Sequence, residues 1–505
     1  MGSINQLRIT PVFCAAIGAA AGFYIPGGNY SAAGGGASFF AAAAVISLLI
    51  AAMCFFRTLS SFDNILRLLR VSDAQSRILR LTSVCCAALA AGAVFGLCAS
   101  YAGRNEINTG IAHNKVTAVE GVLLEDPRIL TNGTAMVSVS LTKCAGDNGL
   151  RVNASGVVTV FFSQVNAQKT REFGRGTTVF AEGSLRQSNF GISFSAGSLH
   201  IVKPASAFER MRTGIRLGLI DLFEGKTWGG LALAMLLGVR DNLDSDFTAR
   251  YGHAGLSYIL ALSGMHLAVL AALITFLLRK PLGLKMSAAL SAVIIIMYCV
   301  LVGPMPSLNR AALMYVLGAA AVIGFLPKSS ISVLSLSFLI QLFLTPEAGS
   351  SLSFILSYVA LLGIIITGDS LFSLFAGKVP DFLLQPLSLS CGVFLATAGI
   401  CGFTFGRLAP VGIAAGLVIV PLTTVFICGS LVWIVLNFPP FSAMFDFPMT
   451  LLYRIMDFIA SVAGNAPAIS ANPYIILAVS LVLSLIVIVI DKTRRKIILE
   501  PEPFL

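Results

Sequence analysis

Ser263, Gly264 and His266 stand together inside an apolar stretch, and their types and spacing could do chemistry. From Ala254 to Leu278 only His266 titrates near neutral pH. Ser263 and His266 are three residues apart, so on a helix they share a face. A hydroxyl beside an imidazole is the start of a nucleophile–base pair. Such a pair needs an orienting acid and an oxyanion site, and no carboxylate lies on this stretch. The chain is therefore not expected to be an enzyme here. Two other readings stay open, helix packing and the lining of a polar path. A titratable group inside a membrane span is costly and marks function by default, which favours the path. Gly264 lets another backbone approach closely. Ser257 and Tyr258 add polar groups one to two turns earlier.

Further polar groups interrupt apolar sequence downstream. Pro304-Met-Pro-Ser307-Leu-Asn309-Arg310 has the make-up of a helix start, with prolines and capping side chains. Arg310 then opens an apolar run. It either snorkels to headgroups or contacts phosphate at a pore mouth, since the guanidinium fork matches phosphate oxygens. Ser350, Ser351, Ser353 and Ser357 cluster on another apolar segment. Pro421 is expected to break the span at 411–436, with Gly412 and Gly416 at a close contact.

These residues need a membrane to position them. The chain has 505 residues, 56% hydrophobic and 11% charged, against about 25% charged in soluble proteins. The expected class is an α-helical polytopic membrane protein of about 12 spans with one extracytoplasmic all-β insert. The net charge of +11 is read first as a topology signal, because Lys and Arg collect on the cytoplasmic side. Arg57, Arg67, Arg70, Arg77 and Arg80 place one loop inside. Arg279, Lys280 and Lys285, then Lys328, Lys378 and the basic tail from Lys492 to Lys496, are placed inside as well. Both termini are expected in the cytoplasm. Four histidines and ten cysteines, with no CxxC pair, give no metal signature. No metal or other cofactor is expected.

Five domains follow. Residues 1–101 are N-terminal helices, where Gly18 and Gly22 form a small-residue packing face. Residues 102–204 read as short alternating strands separated by Asn-Gly, Asp-Asn-Gly and Gly-Arg-Gly turns, an OB-like barrel. Ten basic and seven acidic residues across 102–206 make a weak nucleic-acid signal. Phe161, Phe162, Phe190 and Phe194 either stack bases or fill the barrel. Residues 205–228 form an amphipathic helix in the interface plane, 229–491 the multi-span domain, and 492–505 the basic tail. The run Arg240 to Asp246 is read as a turn and helix cap, since it lacks the EF-hand pattern.

The motifs Leu236-Leu-Gly-Val-Arg240, Leu260-Ala-Leu-Ser-Gly-Met-His266, Pro306-Ser-Leu-Asn-Arg-Ala311, Phe354-Ile-Leu-Ser-Tyr358 and Pro421-Leu422 together make the chain resemble the ComEC family of competence proteins. It departs from the family at Tyr258, Ile355 and Gly416, where that family carries histidine, glutamine and asparagine. The resemblance implies an inner-membrane channel that passes single-stranded DNA into the cytoplasm. Ser257, Tyr258, Ser263, Gly264, His266, Ser307, Asn309, Arg310, Ser353 and Ser357 would then line or shape the path. It implies membrane lipid, an outer DNA receptor, and a cytoplasmic motor or strand-binding protein as partners. The expected form is a short one without the metallo-β-lactamase-like domain of many relatives, leaving strand degradation to a separate nuclease. No P-loop occurs, so translocation energy comes from elsewhere. The competing expectation is a transporter of another anionic or envelope solute on the same scaffold.

Overall fold

The computed structural model describes residues 11–24, 88–98, 100, 107–130, 134–147, 151–162, 174–188, 191–324, 330–438 and 441–499. Phe190, Lys328 and the loop from Arg57 to Arg80 lie outside these residues. Helices α1 (Pro11–Tyr24) and α2 (Ala88–Cys98) cross with backbone contact. Gly18 and Gly22 face the carbonyls of Leu89 and Ala93, while Gly92 and Gly96 face those of Ala15 and Ala19. A Cβ at any of the four would strike the opposite backbone, so the small-residue face is a packing device.

The insert is a barrel. Its strands are β1 (Val116–Leu123), β2 (Arg128–Ile129), β3 (Ala135–Gly146), β4 (Arg151–Asn153), β5 (Val157–Phe162), β6 (Thr178–Ser188) and β7 (Gly191–Lys203). Strands β1, β6, β7, β5 and β3 pair in that order, and β3 pairs β1 again, which closes a ring of five. Among the described residues only the β5–β7 strand pair is parallel. The short β2 and β4 flank β3. Alternation puts every second residue of β5 inside. Phe162 and Phe194 are fully buried among valines and alanines, so these two phenylalanines fill the barrel.

Helix α3 (Ala207–Phe223) follows, capped by Ser206, whose hydroxyl accepts from the Glu209 N–H at 3.2 Å. Short helices α4 (Gly229–Leu237), α5 (Ser245–His253) and α6 (Ser257–Leu260) lead into the bundle. Asp244 caps α5, accepting from the Asp246 N–H. The bundle comprises α7 (Gly264–Val302), α8 (Pro306–Ile323), α9 (Ser330–Leu344), α10 (Leu352–Phe375), α11 (Asp381–Phe405), α12 (Val411–Val435), α13 (Phe441–Gly464) and α14 (Pro473–Leu499).

Helix α7 is a hairpin. Gly283 leaves the helical region, with φ 74° and ψ 174°. The Thr275 and Ser291 hydroxyls, sixteen residues apart, meet at 3.2 Å. A straight helix would separate them by about 24 Å. The two arms therefore run antiparallel and centre on Gly283, with Arg279, Lys280 and Lys285 at the tip.

Among the described residues six helices are long and apolar enough to cross a membrane: α7, α8, α10, α11, α12 and α14. The expected number of about twelve is not reached among them, although α7 folds into two apolar arms. Helix α9 is shorter, and α13 carries Asp446, Arg454 and Asp457. The outer surface is apolar, with Phe276, Phe382, Phe447 and most of α14 exposed. Monomeric soluble proteins rarely expose apolar patches beyond a few hundred Å². Pro421 does not break its helix. Helix α12 runs continuously through it, because a proline removes one bond to the Leu417 carbonyl and packed neighbours hold the rest.

Candidate functional site

The Ser263 stretch is a helix start and not a mid-helix position. Helix α6 ends at Leu260, Ala261 is extended, and Ser263 takes extended backbone as the N-cap of α7. The Ser263 N–H donates to His266 Nδ1 at 3.1 Å, and the Ser263 hydroxyl lies 2.9 Å from the same nitrogen. The histidine thereby takes the role that Glu or Gln plays at the third position of a capping box. With Nδ1 accepting, the neutral ring carries its proton on Nε2. His266 is 3% exposed. Its Nε2 forms no hydrogen bond of good geometry, with the Ile259 backbone beside it.

Arg310 lies against this cap. Its Nη2 sits 2.9 Å from where a Cβ on Gly264 would stand, so a side chain there would make the guanidinium shift. The residue is 7% exposed and its Nε has no partner. No ion pair with a carboxylate reaches it among the described residues. Its nearest support is the Tyr358 ring, with the guanidinium carbon 5.9 Å from the centroid. Tyr358 donates to Gln341 Oε1 at 2.9 Å, and Gln341 Nε2 donates to the Pro306 carbonyl at 2.9 Å. Ser307 and Ser357 hydroxyls lie 3.3 Å apart. Four elements, α7 to α10, thus converge on one buried arginine.

Above it is a chamber of about 300 Å³ between the barrel, α3 and the bundle. Arg128 and Arg175 line it from the barrel, Arg212 and Arg216 from α3, and Arg240 from the link after α4. Ser307 and Ser353 form part of its inner wall. Leu262 and Val302, at the two ends of the α7 hairpin, also line it, so the hairpin tip points away from the barrel. Asp126 locks the barrel to the bundle. It accepts from Arg212 Nη2 at 2.5 Å, Arg216 Nη1 at 3.0 Å and the Arg175 N–H at 3.0 Å. Arg212 also donates to Glu209 Oε2 at 2.6 Å and to the Leu301 carbonyl at 3.0 Å. Burial opposes the Asp126 charge, but the Arg212 hydrogen bond and the Arg216 charge hold its carboxyl below the usual range.

The structure brings Ser263, Gly264, His266, Ser307, Arg310 and Ser357 into one cluster, with Ser353 on the chamber wall. Asn309 is half-buried beside Arg310 on α8. Ser257 and Tyr258 sit apart, on α6. Tyr258 Oη lies against Gly416, 2.8 Å from where its Cβ would stand. Gly412 packs on the Ala254 and Gly255 carbonyls. Sequence reasoning left out Gln341, a lone amide in an apolar helix. It read Arg212 and Arg216 only as part of an amphipathic helix, and Arg240 as a motif and turn residue.

A buried arginine lies under an arginine-lined chamber, in a bundle whose six long apolar helices are those of a multi-pass membrane protein. The family model described as Competence protein matches residues 235–495, and the chain belongs to that family. An uncharacterised protein of Aquifex aeolicus (strain VF5) is 27% identical over 232 residues, 45% of this chain and 53% of that protein. ComE operon protein 3 of Bacillus subtilis (strain 168) is 26% identical over 200 residues, 39% of this chain and 25% of that protein. The chain thus matches about half of the first relative and a quarter of the second.

Proposed function

We propose that this protein passes a single DNA strand across the cytoplasmic membrane during DNA uptake. The observation that carries the reading is Arg310, a buried guanidinium with no carboxylate partner among the described residues, held by Gly264 and Tyr358 beneath the chamber. A buried charge of this kind is expensive unless an opposite charge visits it. Phosphate groups moving past would supply that charge transiently, which suits conduction better than a permanent ion pair. The five-stranded ring with its parallel pair supports an OB-type barrel, a fold that binds oligonucleotides. The hairpin tip with Arg279, Lys280 and Lys285 lies opposite the barrel. By the positive-inside rule this end faces the cytoplasm and the barrel faces outward. The Ser263–His266 pair serves as a helix cap in this reading, and no catalysis is assigned to it. Single-stranded DNA, an outer receptor, a cytoplasmic motor or strand-binding protein and a separate nuclease are the proposed partners.

The alternative is transport of a smaller anionic solute, which the modest chamber volume favours. Import of labelled duplex into the cytosol separates the two. The comparison is between cells with the gene, cells without it, and cells carrying Arg310→Ala or Arg310→Lys at matched membrane levels. Arg310→Ala is expected to lower import on the order of tenfold, the loss of one hydrogen-bonded charge contact. Arg310→Lys recovers part, because a point charge lacks the fork. Unchanged import in the deletion strain of a host shown to take up DNA overturns the channel reading.

A further inference from the structure

We propose that the chamber between the barrel and the bundle binds phosphodiester groups of the incoming single strand, with Arg240, Arg216 and Thr213 as its ligating side chains. The inference rests on the strand-channel reading and adds an outer binding step to it.

The arginines of the chamber are not equally occupied. Arg128 is paired with Glu125 at 2.8 Å, Arg175 with Glu209 at 3.6 Å, and Arg212 with both Asp126 and Glu209. Arg240 makes neither an ion pair nor a hydrogen bond among the described residues. Arg240 as a residue is exposed, and partial desolvation of its guanidinium and the like charge of Arg128 work against its charge. Arg216 gives Nη1 to Asp126, but its Nε is buried and unpartnered. Thr213, 8% exposed, has a buried hydroxyl with no partner. All three line the same cavity. Of the carboxylates on its wall, Glu125 and Asp126 are engaged by arginines, and Asp241 adjoins Arg216.

One ligand answers these unfilled groups together. A phosphodiester carries one negative charge and two free oxygens, and it accepts from a guanidinium Nε–H and a hydroxyl at once. Buried polar groups are otherwise satisfied in native proteins, so the two buried orphans, with the exposed Arg240 beside them, point to an anion as their ligand. The size sets the class further. A volume of about 300 Å³ is at the small end of ligand pockets, which run about 300–1,000 Å³. A duplex, whose major groove alone is about 12 Å wide, does not enter it. The inner wall ends at Ser307, one helical turn before Arg310, so a phosphate leaving the chamber meets the buried guanidinium next. A lipid headgroup offers the same phosphodiester, and the test separates the two sources.

The full chain is placed in nanodiscs of phosphatidylcholine and titrated with a fluorescent oligothymidylate over a range of salt. Arg240→Gln is expected to weaken binding about tenfold and to flatten the logarithmic salt slope by about 0.7, one single-strand phosphate. Thr213→Val, which keeps shape and loses the hydroxyl, is expected to weaken binding about threefold. Both variants leave the Asp126 bonds in place, and matching thermal melts verify folding. Wild-type affinity and slope in both variants overturn the chamber assignment and leave the channel reading standing. No strand binding by the wild type overturns both. Equal binding of a duplex, or displacement of the oligonucleotide in nanodiscs containing phosphatidylglycerol, overturns the single-strand assignment.

Discussion

Arg310 depends on a residue with no side chain. Gly264 leaves the space that the guanidinium fills, and a Cβ there would stand 2.9 Å from Nη2. Gly264→Val is therefore expected to push Arg310 off its seat and cut DNA import on the order of tenfold, as loss of its charged contact would. Import at matched membrane levels checks this, and a Gly264→Val protein that imports normally would separate the arginine from the path. The polar residues stranded in apolar sequence, Ser263, His266 and Arg310, were legible because a membrane span has few reasons to carry them. Their exact placement was not. The run from Ala254 to Leu278 is apolar throughout, and both a continuous helix and a break at Ala261 satisfy such a pattern. Tertiary contacts select the break. Gly412 pins the Ala254–Gly255 backbone, and His266 rewards Ser263 as a cap. Arg240 was visible as a motif residue, but its lack of a partner is a fact of three dimensions.

The α7 hairpin sets the geometry at the level of elements, since it returns the chain to the chamber at Val302 after starting there at Leu262. Thr275 and Ser291 face each other across its arms, and the Tyr315 hydroxyl on α8 lies 2.8 Å from Thr275 Oγ1. Replacing Thr275 and Ser291 by cysteine, in a background cleared of other cysteines, should yield a disulfide on oxidation. Bridged cysteines need Cβ atoms about 3.5–4.5 Å apart, and a straight helix would hold these about 24 Å apart. Protection of the pair from a thiol-reactive polyethylene glycol reads the outcome, and full labelling after oxidation would rule out the hairpin. Sequence alone anticipated two spans parted by Arg279, Lys280 and Lys285, because charges at a turn interrupt hydropathy. It also anticipated a strand-rich insert from alternation at Val157–Phe162 and its neighbours. Pro421 misled in the other direction. Proline strongly breaks isolated helices, but in α12 the buried neighbours Ile419 and Thr423 fix the flanking turns.

At the scale of the whole molecule, the Asp126 carboxylate of the barrel is gripped by two arginines of helix α3, and Arg175 pairs with Glu209 beside it. Asp126 is separated from Arg212 and Arg216 by 86 and 90 residues, so no local spacing announces the pairing. Arg212, with 3% of its side chain exposed, meets barrel, helix α3 and the end of α7 together. Its donation to the Leu301 carbonyl also suits a helix C-terminus, where cations are favoured. Removing the acid takes the ion pair from Arg216 and leaves Arg212 with Glu209 and the Leu301 carbonyl, so Asp126→Ala should cost about 3 kcal/mol of docking, the low end for breaking a buried pair. The pH dependence has a definite sign. The carboxyl is held below its ordinary value of 3.8 in the docked state, so the ionised form stabilises docking. That stabilisation is fully present above the ordinary carboxylate pKa and is lost as pH falls below it, through the docked-state value. Thermal unfolding of the detergent-purified protein between about pH 3 and 6 should therefore show a steep acid loss. Asp126→Asn keeps the shape, has no proton to take up, and should be less stable at neutral pH with a flatter acid limb. Parallel acid limbs in the two proteins would mean that the barrel is held to the bundle by something other than this ion pair.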